Sequence, residues 1–527
     1  MTPGVRGRAL PRFRPGGISI APATVRLLGI LVVLLVACVV VSRFSTAVFI
    51  GIGIALLAVL AIISWRSPRL VLIGMALMPI FDRYFISLLV PRSLANITNF
   101  FSEGLLLLVA LVISARAWRD GTLIAALRHP ALPLLIGFVG VGLVSLVLNG
   151  VPPIIGLAGI LFTVDAVALF FLPRMVGFSP RHAAIAAGAF VVIAGAAAVL
   201  AIAQITLAPT ILGMEVSQGR FSEGHRVTAF FDGNPNMLGA VLAMGVPFPA
   251  FAARYLHGKW RIAAWLLVVM MALALFYTFS RGAWLGLAVS MVAVGLILDW
   301  RALALVMVAG LLAYGAAHIM PRNLLTGVLS GGSGEEVPEV SFDLGGALGD
   351  RLGTIGQGRD LRVLFICNAL PIIRDHPVVG AGPGRYGGAV SARFNNSPLY
   401  DQYTECAVPA GRTVDNFWLH LVVEFGVLGT LLFGGILAFV IAQLIWVARR
   451  AEPLTRVLLA AFATAGMILV LDSATEMLLE GNTTSFSMWL FLGIGATLVM
   501  GERRRQAEAR GQAATTPPIS GAAAQTL

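Results

Sequence analysis

The chain has 527 residues, of which 58% are hydrophobic and only 12% are charged, and its formal net charge is +12. This composition excludes an ordinary soluble protein of the same length and is typical of a polytopic membrane protein. Most of the arginines lie in short links between apolar runs, which is a membrane-topology pattern, so the positive charge does not indicate a nucleic-acid partner.

The start of the chain predicts a cytoplasmic tail followed by a membrane anchor. Residues 1–24 contain four arginines among glycine and proline, which is typical of a basic tail outside the membrane. No small-residue cleavage site follows the first apolar run, so we expect this run to stay in the membrane. Further apolar runs long enough to cross a bilayer recur almost to the C-terminus. The predicted spans are 25–42, 46–65, 70–90, 98–115, 131–149, 153–173, 182–207, 236–253, 262–279, 282–298, 302–320, 416–447, 457–476 and 483–500.

Fourteen spans would place both ends of the chain on one side of the membrane, and the basic residues indicate which side. If the N-terminus is cytoplasmic, the cytoplasmic links collect most of the arginines, as the positive-inside rule requires. The long connection at 321–413 is then extracytoplasmic, and a loop of that length is usually functional or disordered. It separates an N-terminal bundle (25–320) from C-terminal helices (414–500), after which residues 501–527 predict a disordered cytoplasmic tail.

The long outer loop has three parts that differ in composition. Residues 327–358 are rich in glycine and acidic residues, which predicts a flexible segment. Residues 359–378 have apolar positions at helical spacing and predict a helix along the membrane surface, and a glycine-dense turn follows at 380–388. The three cysteines show no metal-ligand spacing. Cys367 and Cys406 could form a disulfide if the loop is extracytoplasmic, or could remain two free thiols.

A first polar segment, from Arg226 to Gly239, precedes the eighth span. Its Asn234-Pro235-Asn236 sequence predicts a turn and an N-cap for the helix that follows. A helix N-terminus with an arginine nearby can bind an anionic group such as a phosphate. The alternative is that Arg226 only extends its side chain to the membrane interface and that this sequence only begins a helix.

A second polar segment, Phe279-Ser280-Arg281-Gly282, joins two apolar runs with almost no linker. An arginine in so tight an outer turn opposes the positive-inside preference and therefore indicates a specific role. Binding a diphosphate is one such role. Pairing with a structural acid such as Asp232 is the alternative.

A third group of polar residues lies in the turn after the outer-loop helix and in Arg412–Gly429, where the chain re-enters the membrane. If this stretch is helical, His420 and Glu424 share one face, four residues apart. Asp415 near the interface could act as a base, and we interpret Glu424 as a buried structural partner. The candidates on or near the outer face are His376, Arg385, Arg412, Asp415, His420 and Glu424.

Four sequence elements occur in an order that resembles a known family. They are Arg226 with GNPNMLG, SRGAWLGL at 280–287, HPVVGAGPGRYG at 376–387 and DNFWLHLVVEFGVLG at 415–429. Each element alone is common, but the ordered set around one long outer loop resembles the O-antigen ligase and polymerase family of bacterial membrane glycosyltransferases. The resemblance covers roughly the C-terminal two thirds of the chain.

The resemblance implies an all-α, GT-C-like enzyme with about 12–14 transmembrane helices in the bacterial cytoplasmic (inner) membrane. Such an enzyme takes a glycan from an undecaprenyl diphosphate carrier and joins it to an acceptor hydroxyl of a glycan, lipid or protein on the extracytoplasmic face. It needs no nucleotide sugar, metal or other cofactor, because the lipid diphosphate is already an activated leaving group. Membrane lipids are further expected partners.

The resemblance also implies roles for the candidate residues. Arg226 and Arg281 would bind the diphosphate and stabilise the charge that grows on it as the bond to the sugar breaks. A carboxylate or an imidazole would accept the proton of the acceptor hydroxyl. The candidate set is Asp415, His376 and His420 as catalytic residues, Arg226, Arg281, Arg412, Arg385 and Asn236 as diphosphate ligands, and Glu424, Asn416 and Ser280 as structural residues.

One position departs from the family. Many of its ligases carry His-Asn where this chain has Asp415-Asn416, and an aspartate can accept a proton but cannot donate one at neutral pH. This difference favours a polymerase, or a ligase with a different acceptor. Asp415 remains the first candidate base, with His376 and His420 as rivals.

Two other functions fit parts of the pattern. A transporter or flippase of lipid-linked glycans would also need many spans and intramembrane charges. No convincing internal repeat or pair of broken helices supports it, and the large outer loop favours an enzyme. A non-catalytic scaffold in a polysaccharide export complex would tolerate alanine at Asp415, Arg226 and Arg281.

Overall fold

The computed structural model describes residues 22–41, 46–78, 100–207, 217–218, 225–231, 234–319, 361–394, 397–400, 406, 408, 412–480 and 483–515. Within these ranges the chain is almost wholly helical, and twelve helices are long and apolar enough to cross a membrane. The structure therefore confirms the all-α polytopic membrane fold.

The N-terminal half follows the predicted spans closely. A 3₁₀ turn at Asp165–Val167 joins α7 (Pro153–Val164) to α8 (Ala168–Val176), so these two helices make one span, Pro153–Val176. The predicted span 70–90 begins in α3, and its part from residue 79 onward lies outside the described residues. The helices are α1 (Pro22–Val41), α2 (Thr46–Arg66), α3 (Pro68–Met75), α4 (Phe101–Arg119), α5 (Leu123–Leu127), α6 (Ala131–Leu148), α7 (Pro153–Val164), α8 (Ala168–Val176) and α9 (Pro180–Thr206).

The central part contains a small antiparallel pair of strands, β1 (Ser217–Gln218) and β2 (His225–Arg226), which the sequence did not predict. The helices α10 (Pro235–Gly245) and α11 (Pro247–Ala252) follow as one span, Pro235–Ala252, which is buried over most of its length. Three further spans then alternate in direction through short links. The helices are α10 (Pro235–Gly245), α11 (Pro247–Ala252), α12 (Lys259–Tyr277), α13 (Arg281–Leu298) and α14 (Trp300–Ile319).

The C-terminal part confirms a helix in the predicted outer-loop segment, where α15 (Leu361–Asp375) occupies most of 359–378. Residues 327–358 lie outside the described residues. The last helix continues past Met500 to Thr515, so the first part of the tail is helical where the sequence predicted disorder. The helices are α15 (Leu361–Asp375), α16 (Gly388–Phe394), α17 (Phe417–Ala448), α18 (Pro453–Asp472) and α19 (Thr483–Thr515).

Two contacts outside the spans hold the segment around α15 in place. Cys367 in α15 forms a disulfide with Cys406, with their Cα atoms 5.8 Å apart. The buried hydroxyl of Tyr386 donates to the carbonyl of Phe365, 2.8 Å away. Helix α15 is thereby fixed to the segments on either side of α16.

Packing between spans brings the polar helix ends together. Helix α13 packs along α18, and α17 packs along α6 and α18. The start of α17 is tied to the end of α18 because Phe417 N donates to Ser473 O over 2.9 Å. The starts of α10, α13 and α17 and the ends of α12 and α18 consequently lie at the same end of the bundle.

Candidate functional site

Arg226, Asn236, Arg362 and Glu476 form a polar group at this end of the bundle, here called the arginine cluster. The Arg226 guanidinium donates to the carbonyl of Thr278 at 2.6 Å and to Asn236 Oδ1 at 2.5 Å. The Asn236 amide nitrogen donates in turn to Glu476 Oε1. Three segments that are far apart in the sequence, 226–236, the residues around Thr278 and those around Glu476, therefore meet at this point.

The turn before α10 sets the position of Asn236. The Asn234 side chain caps the helix, accepting hydrogen bonds from the backbone N–H groups of Asn236 and Met237, each 3.1 Å long. Pro235 occupies the first helical position, where its fixed φ is suited to a helix start. The N-cap predicted from the sequence is present, and it directs the side chain of Asn236 towards Arg226.

Arg362 and Glu476 were not among the residues selected from the sequence. Arg362 donates to Thr475 O at 3.0 Å, and its guanidinium lies 3.7 Å from the Glu476 carboxylate. The Glu476 side chain is 17% exposed. Its burial and the neighbouring charge of Asp415 raise the pKa of Glu476 to about 8, while Arg362 and Arg226 act in the opposite direction. The cluster thus holds a carboxyl that can exchange a proton near neutral pH.

Arg281 and Ser280 lie directly beside this cluster. Arg281 is the first residue of α13, and the buried Ser280 precedes it, its N–H donating to Thr278 Oγ1 at 3.2 Å. A Cβ on Gly282 would collide with the side chains of Thr475 and Asp472, so a larger residue here would force both side chains to move. Asp232, the alternative partner of Arg281, lies outside the described residues.

Asp415 and Asn416 lead into α17. Asn416 is the N-cap of this helix and accepts a hydrogen bond of 3.0 Å from Leu419 N. Asp415 is half-buried and close enough to Glu476 for its charge to act on that carboxyl. Arg412 is exposed, and its carbonyl accepts a hydrogen bond of 2.8 Å from the Tyr400 hydroxyl.

A second polar group, here called the latch, consists of Gly384, Tyr386, His420, Glu424 and Glu480. The fully buried Glu424 carboxylate accepts hydrogen bonds from Gly384 N at 2.5 Å and Tyr386 N at 2.6 Å. Successive backbone N–H groups of this kind form a concave anion site. Here a carboxylate of the same chain occupies that site and fixes the glycine-dense turn to α17.

The buried imidazole of His420 completes the latch. Its Nδ1 lies 2.6 Å from Tyr386 O, and because a carbonyl can only accept, Nδ1 carries a proton. Its Nε2 lies 2.8 Å from Glu480 Oε2, although the two groups are not aligned as a linear hydrogen bond. Glu480, another residue that the sequence did not reveal, also accepts from Ala389 N at 2.8 Å.

The turn pairs with α17 through its backbone as well. Helix α17 is interrupted at Gly426, whose φ of 67° lies in the left-handed region. Around this kink, Ala381 N donates to Val423 O at 2.8 Å and Val427 N donates to Pro377 O at 2.9 Å. His376 is half-buried at the end of α15, and Arg385 donates to Ala381 O within the turn at 3.0 Å.

The structure therefore divides the predicted residues between two neighbouring groups. Arg226, Asn236, Ser280, Arg281 and Asp415 lie in or beside the arginine cluster, whereas His420, Glu424 and Arg385 lie in the latch or its turn. Within the described ranges, no three His, Cys, Asp or Glu side chains are grouped as metal ligands would be. A sequence pattern for the missed residues did exist: Asp472, Glu476 and Glu480 follow an apolar run at four-residue spacing.

The family comparison agrees with this geometry. A family model described as O-antigen ligase matches residues 266–434, which include the start of α13, the turn of the latch and the first half of α17. This match confirms the family resemblance over the elements at 280–287, 376–387 and 415–429, and supports a general role in glycan transfer at a membrane. Arg226 with GNPNMLG precedes the matched residues. No curated protein matched the chain.

Proposed function

We propose that the protein is a membrane glycosyltransferase, a polymerase or a ligase, that transfers a glycan from undecaprenyl diphosphate to an acceptor hydroxyl on the extracytoplasmic face. The observation that carries this proposal is the arginine cluster, in which Arg226 and Arg362 converge on one end of the bundle beside Arg281 and Asp415. The O-antigen ligase match covers the later part of α12, all of α13 and the first half of α17.

The arginines provide the chemistry that a diphosphate leaving group needs. As the bond between the sugar and the diphosphate breaks, negative charge grows on the diphosphate oxygens, and guanidinium groups stabilise it by charge-assisted hydrogen bonds. Arg226 is already held by Thr278 O and Asn236, so little reorganisation is needed when the diphosphate binds. Arg281 binds the diphosphate from the start of α13, and Asn236 supplies an amide group beside the two arginines.

Asp415 is the proposed general base. It accepts the proton of the acceptor hydroxyl as that oxygen attacks the sugar carbon and the diphosphate leaves. The raised pKa of Glu476 supports this role, because Glu476 then holds a proton near neutral pH and two adjacent negative charges are avoided. We propose a positioning role for the enclosed imidazole of His420 and keep His376 as the alternative base. Arg385 and Arg412 remain candidates for binding the outer part of the donor.

The proposed membrane face rests on two independent features. The arrangement of basic residues favours a cytoplasmic N-terminus, which puts the outer loop outside the cytoplasm. Disulfides persist in oxidising compartments and are rare in the cytosol, and Cys367 and Cys406 in this loop form one. Both features support a site that faces the extracytoplasmic side.

A reconstituted transfer assay tests the proposal. Purified protein in liposomes is supplied with an undecaprenyl-diphosphate-linked glycan and an acceptor, and the new glycosidic bond is detected by mass spectrometry. Arg226→Ala and Arg281→Ala should each lower the rate about 100-fold to 1,000-fold, as loss of one charge-stabilising donor does in other enzymes. Asp415→Asn should lower it as well, since the amide cannot accept the proton.

Matched variants at the far ends of the spans serve as controls. Arg450→Ala removes an exposed arginine after α17, and Asp120→Asn changes an exposed carboxylate after α4, so both should retain the wild-type rate. Thermal unfolding of each variant separates lost chemistry from lost folding. Wild-type rates from Arg226→Ala, Arg281→Ala and Asp415→Asn together would exclude the proposal, and a flippase would form no glycosidic bond with any of the proteins.

A further inference from the structure

A cleft of about 180 Å³ opens at the end of the bundle opposite the arginine cluster, here called the distal cleft. The span α10–α11 starts at the arginine cluster and ends at Ala252, and α12 returns from Lys259 to Tyr277. The link between them therefore lies one membrane crossing away from the candidate site. The distal cleft is lined by Ala250, Arg254, Arg261, Trp265, Arg301 and Leu305, with Ala253 and Ala302.

The distal cleft carries a net positive charge. Asp299 is the acidic partner here, and its carboxylate lies 3.4 Å from the Arg254 guanidinium. The lining contributes three guanidinium groups against this one carboxylate, which leaves a formal charge of +2. The Arg261 side chain is fixed at the rim, because its Nε donates to Leu256 O at 2.9 Å and to Ala253 O at 3.2 Å.

The surroundings of the distal cleft are those of a membrane interface. Trp265 in the lining is 37% exposed, and the nearby Trp260 and Trp300 are 65% and 63% exposed. Tryptophan is enriched at the depth of lipid headgroups, where its ring is partly in water and partly in lipid. The Arg301 guanidinium lies over the Trp300 ring at 5.9 Å. The alanines and Leu305 of the lining are buried whereas its arginines are exposed, so the distal cleft is basic towards the solvent and apolar below.

We propose that the distal cleft binds an anionic phospholipid. The phosphate group lies among Arg254, Arg261 and Arg301, whose guanidinium groups suit phosphate oxygens. Basic pockets between transmembrane helices bind anionic headgroups in this way. The acyl chains follow the lipid-facing side of α12, where Ile262 and Leu266 are exposed. This inference is independent of the glycan-transfer proposal, because the distal cleft shares no residue with the arginine cluster or the latch.

The test uses the full-length protein, purified in detergent and titrated with phosphatidylglycerol, phosphatidylcholine or inorganic phosphate. Native mass spectrometry counts the molecules that stay bound. We expect the wild-type protein to retain phosphatidylglycerol in preference to phosphatidylcholine. The variant Arg261→Gln/Arg301→Gln loses two positive charges and should bind phosphatidylglycerol roughly 30-fold more weakly. Arg261→Lys/Arg301→Lys keeps the charge and should retain most of the binding.

Arg450→Gln is the matched control. Its guanidinium lies 5.9 Å from the Trp446 ring, as that of Arg301 does from Trp300, but it lies outside the distal cleft. This variant should bind phosphatidylglycerol as the wild type does. Equal retention of both lipids by the wild type overturns the proposal, even if the glutamine variant does not fold. An equal loss of phosphatidylglycerol binding in Arg450→Gln also overturns the proposal. Displacement of the bound lipid by inorganic phosphate overturns it too, because it would show a site for free phosphate.

Discussion

The substitution Gly384→Ala tests the close packing of the latch turn against α7. Gly384 has a φ of +76°, and an added Cβ would lie 2.6 Å from Ile155 O in α7. The left-handed conformation alone costs alanine about 1–2 kcal/mol. The contact with α7 forces the turn to move, and overpacking of this kind costs about 1–3 kcal/mol more. We therefore expect a total loss of about 2–5 kcal/mol in the free energy of unfolding.

Gly121→Ala is the matched control, because Gly121 has a φ of +68° and nothing within 4 Å of its added Cβ. Gly121→Ala should lose only the stability that the left-handed backbone conformation costs alanine. The free energies of unfolding of the two variants should therefore differ by about 1–3 kcal/mol. Equilibrium unfolding of both proteins in detergent, followed by tryptophan fluorescence, measures this difference. The transfer assay then asks whether a displaced turn lowers activity. An equal loss of stability in the two variants would refute the close packing of the turn against α7.

Two further predictions concern carboxyl groups. Glu424→Gln replaces a carboxylate that accepts from two backbone N–H groups with an amide whose single oxygen can accept from only one side. It should lower the free energy of unfolding by about 2–4 kcal/mol. Unchanged stability in detergent would contradict the hydrogen bonds assigned to Glu424 in the latch. Glu476 has a folded-state pKa raised from 4.5 to about 8, so its stabilising contribution is fully present below about pH 4.5 and is lost as the pH rises to about 8. Glu476→Gln should therefore gain in unfolding temperature relative to the wild type over this pH range, and a constant difference would contradict the raised pKa.

The membrane fold was predictable because a span needs only a long apolar run, which is a local property of the sequence. The predicted span 182–207 and the observed α9, Pro180–Thr206, differ by only a few residues. The tail after Met500 shows the limit of this reasoning, because composition alone predicted disorder. Arg505 pairs with Glu502 at 2.9 Å, and an ion pair at this spacing supports a helix. The amino-acid composition of a segment does not show the spacing between its charged residues.

The candidate site was predictable only in its local parts. The N-cap Asn234 follows from a short sequence pattern and is present, whereas the N-cap role of Asn416 was found only in the structure. The contact between Asn236 and Glu476 joins residues 240 positions apart, and the contact between Arg362 and Thr475 joins residues 113 apart. Contacts over such separations depend on how the spans pack. Arg362 was missed for this reason, whereas Glu476 belongs to the four-residue spacing of Asp472, Glu476 and Glu480 that the sequence does contain.

The link between α18 and α19 connects the two polar groups of the site. Glu476 in this link belongs to the arginine cluster, Glu480 belongs to the latch, and Ser473 O receives the first N–H of α17. Burying carboxylates around an imidazole costs desolvation free energy, and an apolar contact of the same size often stabilises a protein at least as well. The charged contacts do fix the rotation of α17, because His420 and Glu424 each have partners in one orientation only. Asp415, just before the same helix, is thereby held beside Glu476, so we infer that the latch sets the position of the proposed base.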